Sequence, residues 1–131
     1  MTRRERFRMA LRSLEQFCAE PIENDRDVAG ILQGFVFTFE LAWKVVQDEI
    51  ERRGYTERGP RLALSAGLQA GIIAPEDADV WSDAQEDRNL ISHTYRPDWA
   101  RQLAARIGEK YLGLLQRLAD DIERAASEAI P

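Results

Sequence analysis

The sequence predicts an all-α protein, an up-and-down helical bundle of four long helices and one short one. Three observations carry that expectation. Apolar residues recur at three- and four-residue steps over long stretches, prolines and glycines fall between those stretches, and no segment alternates apolar and polar residues like a half-buried strand. A chain of 131 residues has room for one core, so a single domain over residues 1–131 is expected.

The first helix is predicted from about Thr2 to Cys18, with Phe7, Leu11, Leu14 and Cys18 on one stripe. Pro21 ends it, and Asn24 or Asp25 can cap the next. The second helix is expected from about Asp27 to Arg53, closed by Gly54, with Val28, Ile31, Leu32, Phe35, Phe39, Ala42, Val46 and Ile50 inward. Phe37 and Leu41 fall off that stripe on the helical wheel, which points to a second partner and suggests another chain. Pro60 opens a short third helix through Leu62 and Ala66 to Ala70, stopped by Gly71. Pro75, followed by Glu76 and Asp77, starts a fourth that reaches Ile91 to His93. Pro97 disfavours helix at Arg96, so Ser92 to Arg96 reads as a turn. The last helix is expected from near Asp98 to about Ala126, with Leu103, Ile107, Leu114, Leu118 and Ile122 inward.

Composition excludes several classes. With 44% hydrophobic and 31% charged residues the chain is not a disordered tail. Its uninterrupted apolar runs are shorter than the roughly 20 residues of a membrane span, and the charged start, Met-Thr-Arg-Arg-Glu-Arg, lacks the apolar core of a signal peptide. A cytoplasmic location without membrane attachment is the expectation. Cys18 is the only cysteine, which rules out an intramolecular disulfide and a cysteine metal cluster. A net charge of −5 argues against sequence-blind nucleic-acid binding by the whole surface. Arg4, Arg8 and Arg12 nevertheless share one helix flank, as either a solvated face or a local phosphate-contacting stripe. Trp43, Trp81 and Trp99 read as core or interface rather than stacking platforms. Asp77, Asp79, Asp83, Glu86 and Asp87 read as a solvated face or a surface for a basic partner, with a Mg²⁺ site as the sharper alternative. No zinc pattern, phosphate loop or Ser-His pair is present.

Chemistry concentrates in Arg88-Asn89-Leu90-Ile91-Ser92-His93-Thr94-Tyr95, which holds the single histidine. Histidine exchanges protons near neutral pH, and arginine grips phosphate oxygens in a fork. Together at a helix end they suggest chemistry on a phosphodiester, whose cleavage needs a base, an acid and positive charge at phosphorus. His93 suits the first two roles and Arg88 the third, while Asn89 and Ser92 are placed to orient the imidazole or the phosphate. The same residues also admit structural roles: Arg88 as an ion-pair partner of Glu86, Asp87 or the last helix, His93 at free helix carbonyls, and Tyr95 packed with a bonded hydroxyl. Geometry adds two constraints. One histidine per chain means that an acid–base pair needs His93 from two chains. A five-residue helical step rotates about 140° and rises about 7.5 Å, so Arg88 faces Ser92 more than His93 unless the helix ends first. Both favour a homodimeric site on a two-fold axis.

Phe35-Val36-Phe37-Thr38-Phe39-Glu40-Leu41-Ala42-Trp43-Lys44, then Pro60-Arg61, Gly71-Ile72-Ile73, Trp81, the Arg88–Tyr95 block and Tyr111 closely resemble the nucleotidyltransferase substrate-binding proteins, the small helical partners in HEPN/MNT gene pairs. The likeness runs from about residue 25 into the leucine-rich last helix. It implies a homodimeric HEPN bundle, the toxin of a type VII-like toxin–antitoxin pair, cleaving RNA without a metal or cofactor through Arg88 and His93, with Asn89 as the polar residue after the arginine. It also implies a partner MNT nucleotidyltransferase that uses ATP and Mg²⁺ to add AMP to Tyr95 as the neutralising step. Many relatives carry acidic residues after that tyrosine, whereas this chain has Arg96-Pro97-Asp98. The alternative, implied by the older family name, is a non-catalytic substrate-binding subunit of a minimal nucleotidyltransferase.

Overall fold

The structure is a computed structural model that describes residues 1–93 and 96–130. Thr2 caps α1 (Arg3–Ala19), its hydroxyl accepting the Glu5 N–H at 3.1 Å. Asn24, not Asp25, caps α2 (Asp25–Arg52), accepting the Asp27 N–H at 2.9 Å. Gly54 (φ 95°) ends α2, and Gly71 (φ 80°) ends α3 (Pro60–Gln69), each in the left-handed region where a Cβ is strained. Pro75 opens a 3-10 turn (Pro75–Asp77) rather than the first α turn, and α4 proper is Ala78–Ile91. Then α5 (Pro97–Arg106) and α6 (Leu112–Ser127) are joined by a π turn, Ile107–Tyr111. The expected single last helix is therefore one rod with a bulge. Its Leu112 N–H reaches back five residues to the Ile107 carbonyl instead of four.

Helix α2 lies at the centre and packs against each of the other five helices. The inward residues predicted for it are all buried, as are those predicted for the last helix. Phe35 is fully buried between Phe39 and Tyr111, with ring centroids at 5.8 and 5.4 Å, so truncating it to alanine would cost about 3–5 kcal/mol. Helix α3 approaches α2 closely at Gly67, where a Cβ would stand 2.6 Å from Val46 Cγ1. At the far end Glu49 holds Arg52 and Arg53, whose guanidiniums donate to the Ala125 carbonyl at 2.9 and 3.0 Å and cap α6.

Two expectations need adjustment. By length and composition α2 is apolar enough to cross a membrane even though it contains no long unbroken apolar run, because its scattered polar residues dilute the stretch only slightly; half of that stretch is buried in the bundle. Phe37 does stand outside the core, 60% exposed, but Leu41 is half-buried and packs against it.

Candidate active site

Helix α4 ends where Ser92 takes the C-cap, before His93. The Ser92 and His93 N–H groups turn back to the Asn89 and Leu90 carbonyls at 3.3 and 3.1 Å. His93 is thus exposed in the turn rather than on the helix. Tyr95 and Thr94 lie outside the described residues. Arg96 is extended (φ −134°, ψ 125°), as the residue before Pro97 must be.

Arg88 occupies the last turn of α4 and is held from two sides. Its Nε donates to Glu40 Oε1 on α2 at 2.9 Å, and its Nη1 donates to Ser92 Oγ at 3.0 Å. Glu40 is fixed in turn, its other oxygen accepting the Trp43 indole N–H at 3.0 Å. The chain of bonds runs Trp43 to Glu40, Glu40 to Arg88, Arg88 to Ser92. Because the Ser92 oxygen already accepts from a cation, its own O–H is left to donate onward, polarised toward an anion. The ion-pair partner of Arg88 is therefore neither Glu86, Asp87 nor the last helix. Ser92 contacts the arginine directly, as the helical step predicts; Asn89 and His93 are exposed beside it.

Asp87, one position earlier, points the other way. Only 9% exposed, it accepts the Tyr111 hydroxyl at 2.5 Å and Arg106 Nε at 3.0 Å. Burial, and then the Asp87 carboxylate beside it, push the Tyr111 hydroxyl well above its ordinary pKa of 10. The π turn aims Tyr111 at this carboxylate. Two adjacent residues thus lock the end of α4, Asp87 to the α5–α6 rod and Arg88 to α2. Reading Asp87 as part of a solvated acidic face was wrong because two donors, distant in sequence, converge on it. Asp77 also leaves that face, pairing with Arg117 at 2.9 Å, while Asp79, Asp83 and Glu86 stay exposed. Among the described residues no three His, Cys, Asp or Glu side chains converge to hold a metal ion.

Of the α1 flank, Arg4 and Arg8 are in ion pairs, while Arg12 has none among the described residues. Arg4 and Arg8 reach Glu123 at 3.2 and 3.8 Å, and Arg3 reaches Asp48 at 2.8 Å. Glu123 alone answers Arg4 and Arg8, so the flank is only partly neutralised. Trp81 is buried, and Trp43 and Trp99 are half-buried against the core. Cys18 is partly buried, which pushes its thiol pKa up.

The family model for nucleotidyltransferase substrate binding protein like sequences matches residues 2–124. Probable ribonuclease HepT of Haemophilus influenzae is 31% identical over 93 residues, which are 67% of this chain and 62% of that protein. The match thus spans less than two thirds of the relative's length. A protein of Thermus thermophilus known from its crystal structure superposes with a TM-score of 0.77 at 24% identity, over 93% of this chain and 99% of that one, so the two share a fold. With a match over nearly its whole length, this chain belongs to the nucleotidyltransferase substrate-binding-like family, the helical side of the HEPN/MNT group.

Proposed function

We propose that this chain is a HEPN endoribonuclease of a toxin–antitoxin pair, cleaving RNA with Arg88 and His93 and needing no metal. The observation that carries the reading is Arg88 pinned by Glu40 and bonded to Ser92, one residue before an exposed histidine. In the reaction the 2′-hydroxyl oxygen bonds to the adjacent phosphorus and the bond to the departing 5′-oxygen breaks. One imidazole takes the 2′-proton and another gives a proton to the leaving oxygen. Arg88 and the Ser92 hydroxyl face the non-bridging oxygens, where negative charge grows. The relative named a probable ribonuclease supports this assignment.

Two imidazoles require two chains. Phe37 sits one turn before Glu40, and with Phe17, 48% exposed, it flanks an apolar surface shared by α1 and α2. A homodimer interface covering Phe37 borders the Arg88 site. A cytoplasmic partner of the MNT type would neutralise the toxin by transferring AMP from ATP to the Tyr95 hydroxyl, releasing pyrophosphate. The added phosphate would pair with Arg88 and exclude RNA.

The test is cleavage of labelled RNA by the purified chain with and without EDTA, beside His93→Ala and Arg88→Ala. Each substitution is expected to lower the rate at least about 10²-fold. Wild-type cleavage abolished by EDTA, or full cleavage by His93→Ala, refutes the mechanism. A chain that binds RNA and never cuts it is instead the substrate-binding subunit of a transferase.

A further inference from the structure

A groove of about 190 Å³ opens between α3 and α4, outside the Arg88 cluster. Leu64, Leu68 and Trp81 form its apolar wall, and Arg61, Ser65 and Gln85 its polar rim. Ile73 and Trp81 are buried, whereas Arg61 stands exposed at the rim. Nearby Arg58 pairs with Glu51 at 3.0 Å, whereas Arg61 has no carboxylate within 4.0 Å among the described residues.

The groove and the Arg88 cluster share one face of α4. At 100° per residue, Trp81, Gln85, Arg88 and Ser92 fall within about 60° of one another on α4. Exposed Asp79, Asp83 and Glu86 are centred roughly 150° away, so the acidic flank faces elsewhere. The groove centre lies about 10 Å along the helix from the Arg88–Ser92 pair, at 1.5 Å per residue. Its size is below the roughly 300 Å³ at which pockets for larger ligands begin, which fits a single base.

We propose that this groove is a nucleotide subsite, taking one base of the RNA strand next to the cut, with Arg61 on that nucleotide's phosphate. The proposal rests on the RNA reading above but not on catalysis. The base lies against Leu68 and the narrow open edges of Leu64 and Trp81 at the groove floor, and the Gln85 amide meets its polar edge. Arg61 supplies a charge-assisted bond that Glu40 does not compete for.

The experiment uses a short single-stranded 2′-O-methyl oligoribonucleotide, which cannot be cut, and free AMP as a second ligand. Affinity is measured at several salt concentrations for the wild type, Arg61→Ala and Ser65→Trp, the last at an exposed rim position where bulk fills the groove. Arg61→Ala is expected to weaken oligonucleotide binding about tenfold and to make the salt dependence shallower by about 0.7 in log–log slope, one phosphate contact on a single strand. Ser65→Trp is expected to weaken binding with the protein still folded. NMR signals of Arg61 Nε–H, the Gln85 amide and the Trp81 indole should move with the oligonucleotide, and with AMP only at much higher concentration. Unchanged affinity and slope in both variants, or groove signals that move with AMP but not with the oligonucleotide, overturn the proposal. Cleavage scored in parallel separates the two readings. A chain that does not cut yet loses binding in Arg61→Ala keeps the subsite, and one that cuts while both variants bind normally loses only the subsite.

Discussion

Replacing Glu40 by glutamine keeps its shape and one acceptor oxygen but removes the charge that faces Arg88. The bond is 2.9 Å long, and the two side chains, Arg88 and Glu40, are 21% and 34% exposed. Two unit charges about 4 Å apart attract by about 4 kcal/mol at an effective dielectric constant of about 20. A third of Glu40 lies in water, so screening and side-chain entropy reduce the net loss to about 1–2 kcal/mol, between exposed pairs and buried ones. Thermal unfolding should show Tm lower by about 3–8 °C. Cleavage, scored on folded protein, should fall by about 10- to 100-fold, because a guanidinium displaced by an ångström no longer meets the phosphate. The paired substitution separates positioning from stability. Arg88→Ala strands a half-buried carboxylate, so adding Glu40→Gln to it should raise Tm while leaving the residual rate unchanged. A Glu40→Gln protein that melts lower yet cleaves at the wild-type rate would show that Glu40 serves the fold and not the chemistry.

Tyr111→Phe should cost about 1–2 kcal/mol by removing a donor from buried Asp87, read as a lower Tm. The folded protein binds the Tyr111 proton more tightly than the unfolded chain does. Its contribution is therefore complete below pH 10 and is lost as pH climbs above that value; a denaturation series through alkaline pH should show this loss in the wild type and not in Tyr111→Phe. Phe37→Asp, at a position already 60% exposed, should leave the monomer folded, weaken the dimer at micromolar concentration in sedimentation, and lower cleavage with it; an unchanged dimer places the interface elsewhere. Tyr95→Phe should stay toxic yet escape the transferase, and intact mass after co-expression should show added AMP on the wild type alone; equal addition to both moves the modification to another residue.

Much of the bundle was readable because it follows from local rules. The α2 stripe from Val28 to Ile50, the closures at Gly54 and Gly71, and the facing of Arg88 toward Ser92 need only helical spacing and the strain of a Cβ at positive φ. What escaped depends on residues far apart in the chain. Glu40 and Arg88 are 48 positions apart, and nothing in the Phe35–Lys44 block marks which carboxylate would meet the arginine. Asp87 sits among exposed acids and looks like them; its burial follows from Tyr111 and Arg106, 24 and 19 positions downstream. The regular spacing of Leu103, Ile107, Tyr111, Leu114 and Leu118 hides the π turn, since the same pattern suits an unbroken α-helix. The expected reach of Tyr95 falls outside the described residues.

The π turn also sets a rule for how this chain can vary in length. It absorbs one residue more than an α-helix would use, so the side chains of α6 keep the facing they would have on an unbroken helix one residue shorter. Deleting a single residue between Ile107 and Tyr111 should therefore relax the turn to α-helix and leave Leu114, Leu118 and Ile122 on the core. The same deletion inside α6, where no bulge can take it up, would turn everything beyond it by about 100°. A one-residue gap at this point of a related sequence therefore marks a helix without the bulge, and what changes there is local: the placing of the residue that meets Asp87.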